Sequence, residues 1–256
     1  MTPAQAIIAK ELRSAYFSPI IYVVGAVFLL IFGILSYIFV VNAGTQAIRL
    51  MQIQGMAAKI NLNDLVFRQT FGYTAFTLMF VLPILTMRVF AEERKLRTFE
   101  LLMTSPVGIN EIVAGKFAAV FLIYLGMLAL TGSVPVVLAM FNSFDWAPVF
   151  TGYLGLLLIG ALFLSVGLFA SAVTENQIIA AFLSFGLLFF VWLLGTMGAI
   201  LGDTPAGSAI SYLSFIEHYD RLVRGLINTK DLVYFACGIL FMLFLTHRVV
   251  ESQRWK

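Results

Sequence analysis

Residues 71–100 read FGYTAFTLMFVLPILTMRVFAEERKLRTFE, and this stretch decides the class of fold. Its first part, 71–89, is apolar over nearly the length of one bilayer crossing, for which a helix needs about 20 residues. Its last part, 91–100, carries six charged side chains and is called the charged island below. The whole chain of 256 residues is 61% hydrophobic and only 11% charged. A chain of this composition folds in lipid, so we expect an integral membrane protein.

Six apolar runs of this kind recur along the chain. Each is long enough for a transmembrane helix, and none alternates as a strand would. The predicted fold is an all-α membrane protein in a single domain, 1–256. Its six spans are expected at about 20–41, 71–89, 117–141, 149–172, 178–201 and 231–249.

The distribution of positive charge predicts which ends of the spans are cytoplasmic. Lysine and arginine closely flank the spans on one side, which favours that side as the inside. Both termini and the charged island are therefore expected in the cytoplasm. The residues on that side are Lys10, Arg13, Arg88, Arg94, Lys95, Arg97, Lys116, Arg248, Arg254 and Lys256.

Three segments outside the spans show helical patterns of their own. Residues 3–17 predict an amphipathic helix on the inner membrane surface, following a cap at Thr2. The outer loop 42–70 is too short for a separate domain. Residues from Ser214 to Leu226 predict a short amphipathic helix in an outer re-entrant segment before span six.

The charged island itself predicts a helix rather than a plain loop. Leu96, Phe99 and Met103 recur at helical spacing on one face, and Glu93 and Arg97 form an i,i+4 pair on the other. Ser105-Pro106 ends this helix, because proline restricts the residue before it. The expected result is a cytoplasmic helical hairpin between spans two and three. The alternative is a solvated loop that only obeys the charge rule.

Several chemistries are excluded or disfavoured by what the sequence lacks. No P-loop motif occurs, so the chain is not expected to bind ATP or to be an enzyme. No cysteine pair or HExxH motif predicts a metal site. Glu217, His218 and Asp220 are expected to be a solvated helix surface. The spans hold no central ionisable residue, which disfavours ion or proton relays. A net charge of +3 does not suggest nucleic acid as a partner.

The stretch MRVFAEERKLRTFELLMTSPVGINEIVAGKF, Met87–Phe117, resembles the signature of type-2 ABC exporter permeases. Within that family it is most similar to the gliding-motility, Gld-type subgroup. The stretches KELRSAYFSPIIYV (10–23), SAVTENQIIAA (171–181) and EHYDRLVRGLINTKDLVYF (217–235) resemble further parts of such permeases. The likeness extends over almost the whole chain.

The resemblance implies partners and a site. It implies a second permease, either a copy or a paralogue, in the bacterial inner membrane, and a separate ATPase subunit that holds ATP and magnesium. The resemblance also allows for an accessory envelope protein as a third partner. The residues that would contact the ATPase are Glu92, Glu93, Arg94, Lys95, Arg97, Phe99 and Glu100, with a smaller second contact at Thr174, Glu175 and Asn176.

Two functions fit these expectations. The first is a permease subunit that couples ATP hydrolysis to export by alternating access. The second is a membrane subunit that transports nothing and passes the ATPase's conformational change to an envelope or motility partner. The sequence leaves the substrate open.

Overall fold

The computed structural model describes residues 3–54, 63–99, 107–141, 143–202 and 204–253. Within these ranges the chain is helical and contains no strand, as predicted. We number the helices α1 Pro3–Tyr16, α2 Pro19–Gln54, α3 Arg68–Thr86, α4 Ala91–Lys95, α5 Ile109–Thr131, α6 Ser133–Phe141, α7 Trp146–Val173, α8 Gln177–Leu201, α9 Pro205–Leu213, α10 Phe215–Val223 and α11 Thr229–Ser252. A π-helical turn, Asn63–Phe67, leads into α3.

In the described part of the chain, six helical segments are long and apolar enough to cross a membrane, which confirms the predicted number of spans. They are Pro19–Arg49, Asn63–Lys95, Ile109–Phe141, Trp146–Val173, Gln177–Gly198 and Thr229–Ser252.

The first span is part of a helix much longer than predicted. With 36 residues, α2 is about 54 Å long, well beyond the roughly 30 Å of a hydrocarbon core. No proline or glycine pair interrupts residues 42–54, so the helix continues into the segment predicted as an outer loop. Ala43 is buried next to Phe39 and Val66, which holds this extension against the turn before α3.

Helix α7 is the centre of the fold, and its glycines allow the other helices to approach it. In the most apolar part of this helix 78% of the residues are buried, against 17% in α8 and in α11. An added Cβ would lie 2.3 Å from Phe71 at Gly152, 2.3 Å from Tyr124 at Gly160, and within contact of Thr86 at Gly167. Close packing at small residues therefore occurs within one chain.

Glycine, proline and serine mark the remaining helix boundaries. Gly132 separates α5 from α6, and Pro135 lies in the first turn of α6, where its missing N–H costs least. Ser214 accepts a hydrogen bond from Ile216 N (3.2 Å) and starts α10 where the sequence predicted a helix. Helix α1 agrees with the prediction within one residue. The membrane-surface position of both helices stays a prediction, and the cap at Thr2 lies outside the described residues.

Candidate functional site

A buried serine of the central helix α7 binds the backbone at the start of the charged island. Ser171 Oγ accepts hydrogen bonds from the backbone N–H groups of Phe90 (3.0 Å) and Ala91 (3.1 Å) and donates one to Met87 O (3.0 Å). These N–H groups belong to the first turn of α4, which has no partners for them within the helix. The end of α7 therefore holds the start of α4 in place.

The island helix is short and ends in a left-handed turn at Arg97. Arg97 has φ of 55°, its N–H donates to Arg94 O (3.0 Å), and Thr98 N–H donates to Glu93 O (3.0 Å). This pair of bonds is the Schellman motif, which usually places glycine where Arg97 stands. The predicted single helix through Met103 is therefore wrong, since α4 ends at Lys95.

The apolar face and the charged face that were predicted for this helix do not form. Leu96 is 63% exposed, whereas Phe99 is buried, with its ring centre 6.3 Å from the ring centre of Phe90. Glu93 is bound to lysines of other helices instead of pairing with Arg97. Glu100 and the rest of the predicted hairpin tip, 101–106, lie outside the described residues.

A buried lysine ties three helices together beneath the spans. Lys116 of α5 is 1% exposed, and its Nζ lies 2.7 Å from Glu11 Oε1 of α1 and 2.9 Å from Glu93 Oε2 of α4. It also donates to Val89 O (2.8 Å) and lies 5.1 Å from the ring centre of Phe90. A buried ammonium group needs such partners to offset the loss of water.

Lys10 completes this lysine cluster, formed by Lys10, Glu11, Glu93 and Lys116. Its Nζ lies 3.0 Å from Glu93 Oε1, so Glu93 bridges two lysines. Partial burial opposes the charged form of Lys10, but the hydrogen bond and charge of Glu93 outweigh burial and raise its pKa. In the sequence, Lys10 and Lys116 indicate only which side of the spans faces the cytoplasm. A lysine at the edge of an apolar run is costly unless paired, and that was the available signal.

Arg94 connects the island to the second predicted contact. Its guanidinium donates to Ala172 O at the end of α7 (2.7 Å) and lies 3.5 Å from Glu175 Oε1. Gln253 of α11 donates to the same carbonyl (3.1 Å). Two segments about 80 residues apart in sequence therefore share one surface.

The turn between α7 and α8 is ordered by its own side chains. Asn176 Oδ1 accepts hydrogen bonds from Ile178 N (2.9 Å) and Ile179 N (3.4 Å), so this side chain caps the start of α8. Thr174 Oγ1 accepts from Asn176 N (3.2 Å). Thr174 is thus held inside the turn, while Glu175 and Asn176 remain exposed.

The predicted contact residues divide into internal anchors and an exposed group. Glu93, Arg94 and Phe99 are engaged in packing or ion pairs within the chain. Glu92 is half-buried and faces a cleft toward α1. The predicted residues Lys95, Arg97, Glu175 and Asn176 are exposed. Together with their exposed neighbours Leu96 and Thr98, which were not predicted, they are called the contact surface below. A small depression lined by Lys95, Glu175 and Asn176 joins its two parts.

The prediction of a solvated surface at 217–220 is wrong for its histidine. His218 is fully buried, with Nδ1 2.6 Å from Asp231 Oδ1 and Nε2 3.0 Å from Tyr212 O. Arg221 Nη2 lies 2.6 Å from the same carboxylate oxygen, and this hydrogen bond raises the pKa of Arg221. Asp231 lies in α11, 13 residues after His218 in α10. Because the two residues belong to different helices, helical spacing in the sequence does not predict their contact.

The side chains of His218, Arg221, Asp231 and Tyr234, called the histidine cluster below, fix α9 and α10 to the last span. The ring of His218 stacks on Tyr234 at 4.0 Å, and Tyr234 Oη donates to Leu213 O (2.7 Å). Tyr219 Oη donates to Phe71 O of α3 (2.8 Å). Each of these contacts joins one helix to another, so the cluster has a structural role. Among the described residues no group of three or more histidine, cysteine or acidic side chains could hold a metal ion.

Comparison with known proteins shows the family of this chain. No protein of curated function matches the chain. A family model described as ABC-2 family transporter protein matches residues 5–250, nearly the full length. The chain therefore belongs to the ABC-2 family of transporter proteins, as a membrane permease subunit of an ABC transporter.

Proposed function

We propose that the protein is the permease of an ATP-driven exporter in the bacterial inner membrane, with both termini in the cytoplasm. ATP is hydrolysed by a separate ABC ATPase, which binds the contact surface. The observation that carries this proposal is the union of α4 with the turn 174–176 through Arg94. One docked partner can thus move the ends of spans two, four and five together.

The anchors beneath the contact surface support a lever mechanism. Glu93 joins α4 to α1 and α5 through two lysines, and Ser171 joins it to α7. A force on the exposed residues is therefore transmitted to four helices and not absorbed by a flexible loop. Alternating access needs such rigid-body movement of packed helices.

The outward faces of the bundle support an assembly of two permeases. Helices α8 and α11 expose most of their apolar residues, including Phe182, Phe190 and Phe241. Faces of this kind are covered by lipid or by a second permease chain. The choice between a copy and a paralogue does not affect the proposed coupling.

The proposal is tested by reversing charge on the contact surface. We expect Lys95→Glu with Arg97→Glu to weaken co-purification with the cognate ATPase and to reduce ATPase activity of the complex. Lys230→Glu is the matched control, because Lys230 is exposed at the opposite end of the spans. Equal complex yield and ATPase activity in parent and double variant would contradict the proposal.

A second measurement tests whether Glu93 transmits movement of the ATPase to the spans. Glu93→Gln leaves the exposed residues in place and removes one ion-pair partner of Lys10 and Lys116. We expect this variant to bind the ATPase while ATP hydrolysis no longer drives opening of the spans, measured by distances between labels on their outer ends. Normal opening would contradict the role of Glu93 as an anchor.

A further inference from the structure

A cleft opens beside the lysine cluster, between the start of α2, the end of α3 and the side of α5. Its volume is about 670 Å³. The rim is polar and includes Lys10, Glu92 and Glu93, while the floor is apolar. The floor residues are Ile20, Ile21, Ile84, Leu85, Val120 and Ile123.

The floor and the rim lie at different depths along the same helices. Ile123 follows Lys116 by two helical turns, a rise of about 10 Å toward the middle of span three. Ile84 precedes Arg88 by one turn in the same direction. A molecule filling the cleft therefore meets charges at one end and aliphatic side chains at the other.

At the polar end, Arg88 has no ion-pair partner among the residues that the structure describes. Its Nε is buried without a hydrogen bond, and no ion pair involves Arg88 among the described residues. A buried guanidinium donor is costly when unpaired, and a phosphate group is the acceptor that its geometry fits well. The other basic group at the rim, Lys10, is already paired with Glu93.

Glu92 is the second charge at the rim without an ion pair in the described part of the chain. It faces the cleft one turn after Arg88. Opposite unpaired charges at neighbouring positions complement a headgroup that holds both a phosphate and an ammonium group.

We infer that this cleft binds a membrane phospholipid with an amine headgroup, with its phosphate at Arg88, its ammonium group at Glu92 and an acyl chain on the apolar floor. The lipid is a bound component and not the transported substrate, so this inference is independent of the proposed function. It places a lipid between α1 and the spans, where it stabilises the position of the lysine cluster.

Lipid titration of the full-length chain tests the inference. The delipidated protein in detergent is titrated with dioleoyl phosphatidylethanolamine, and bound lipid is counted by native mass spectrometry. We expect Arg88→Gln to weaken binding about tenfold or more, as loss of a charge-assisted hydrogen bond implies. Arg13→Gln is the matched control, because Arg13 is an exposed arginine of α1 outside this cleft.

A variant of the floor covers the case in which Arg88→Gln fails to fold. Ile84 is 40% exposed at the edge of the cleft, so Ile84→Trp narrows the floor without entering the packed core. We expect this variant to lose the bound lipid. Equal affinity in the parent, Arg88→Gln and Ile84→Trp would overturn the inference, as would competition by inorganic phosphate at the concentration of lipid used.

Discussion

Replacement of Lys116 by methionine is the most direct test of the lysine cluster. Methionine fills a similar volume but cannot bind Glu11, Glu93 or Val89 O. Removing one member of a buried ion pair costs about 3–5 kcal/mol. Glu11 and Glu93 keep 19% and 16% exposure, and Glu93 retains Lys10, so we expect the lower end, about 3 kcal/mol.

The assay is equilibrium unfolding of the full-length chain in detergent, followed by tryptophan fluorescence. Lys230→Met is the matched control, because Lys230 is exposed and surface changes stay within about 0.5 kcal/mol. Adding Glu11→Gln to Lys116→Met removes the uncompensated carboxylate, and we expect it to restore about 1 kcal/mol. A Lys116→Met variant as stable as Lys230→Met would refute the reasoning that this cluster holds α1, α4 and α5 together.

Three further predictions concern the histidine cluster, the central helix α7 and the end of α4. Asp231→Asn leaves a buried histidine and an arginine without their carboxylate, so we expect a loss of about 3 kcal/mol and faster hydrogen exchange in α9 and α10, whereas exposed Glu217→Gln should cost under about 1 kcal/mol. Gly160→Ala places a Cβ 2.3 Å from a buried tyrosine ring and should cost about 1–3 kcal/mol in the unfolding assay, but Gly186→Ala, with open space around it, should not destabilise the chain. Arg97→Gly relieves a left-handed residue and should stabilise the chain by about 1 kcal/mol; a loss of stability would contradict the assignment of the turn.

Local sequence patterns predicted the parts of the fold that depend on neighbouring residues. The six apolar runs became six spans, because the bilayer demands internally bonded helices of a given length. Asn176 caps α8 because its side chain reaches N–H groups two and three residues ahead. The resemblance, and not periodicity, named Lys95, Arg97, Glu175 and Asn176, whereas Leu96 and Thr98 join the contact surface only through their exposure in the structure.

The sequence by itself therefore determined the solvent, the class of fold and the number of spans. Tertiary structure alone decided which charges are anchors and which are free. Lys116 meets Glu11 from 105 residues away, and His218 meets Asp231 across two helices. Such pairs form because burial makes an unpaired charge too costly, and burial depends on how the helices pack, which no local pattern specifies.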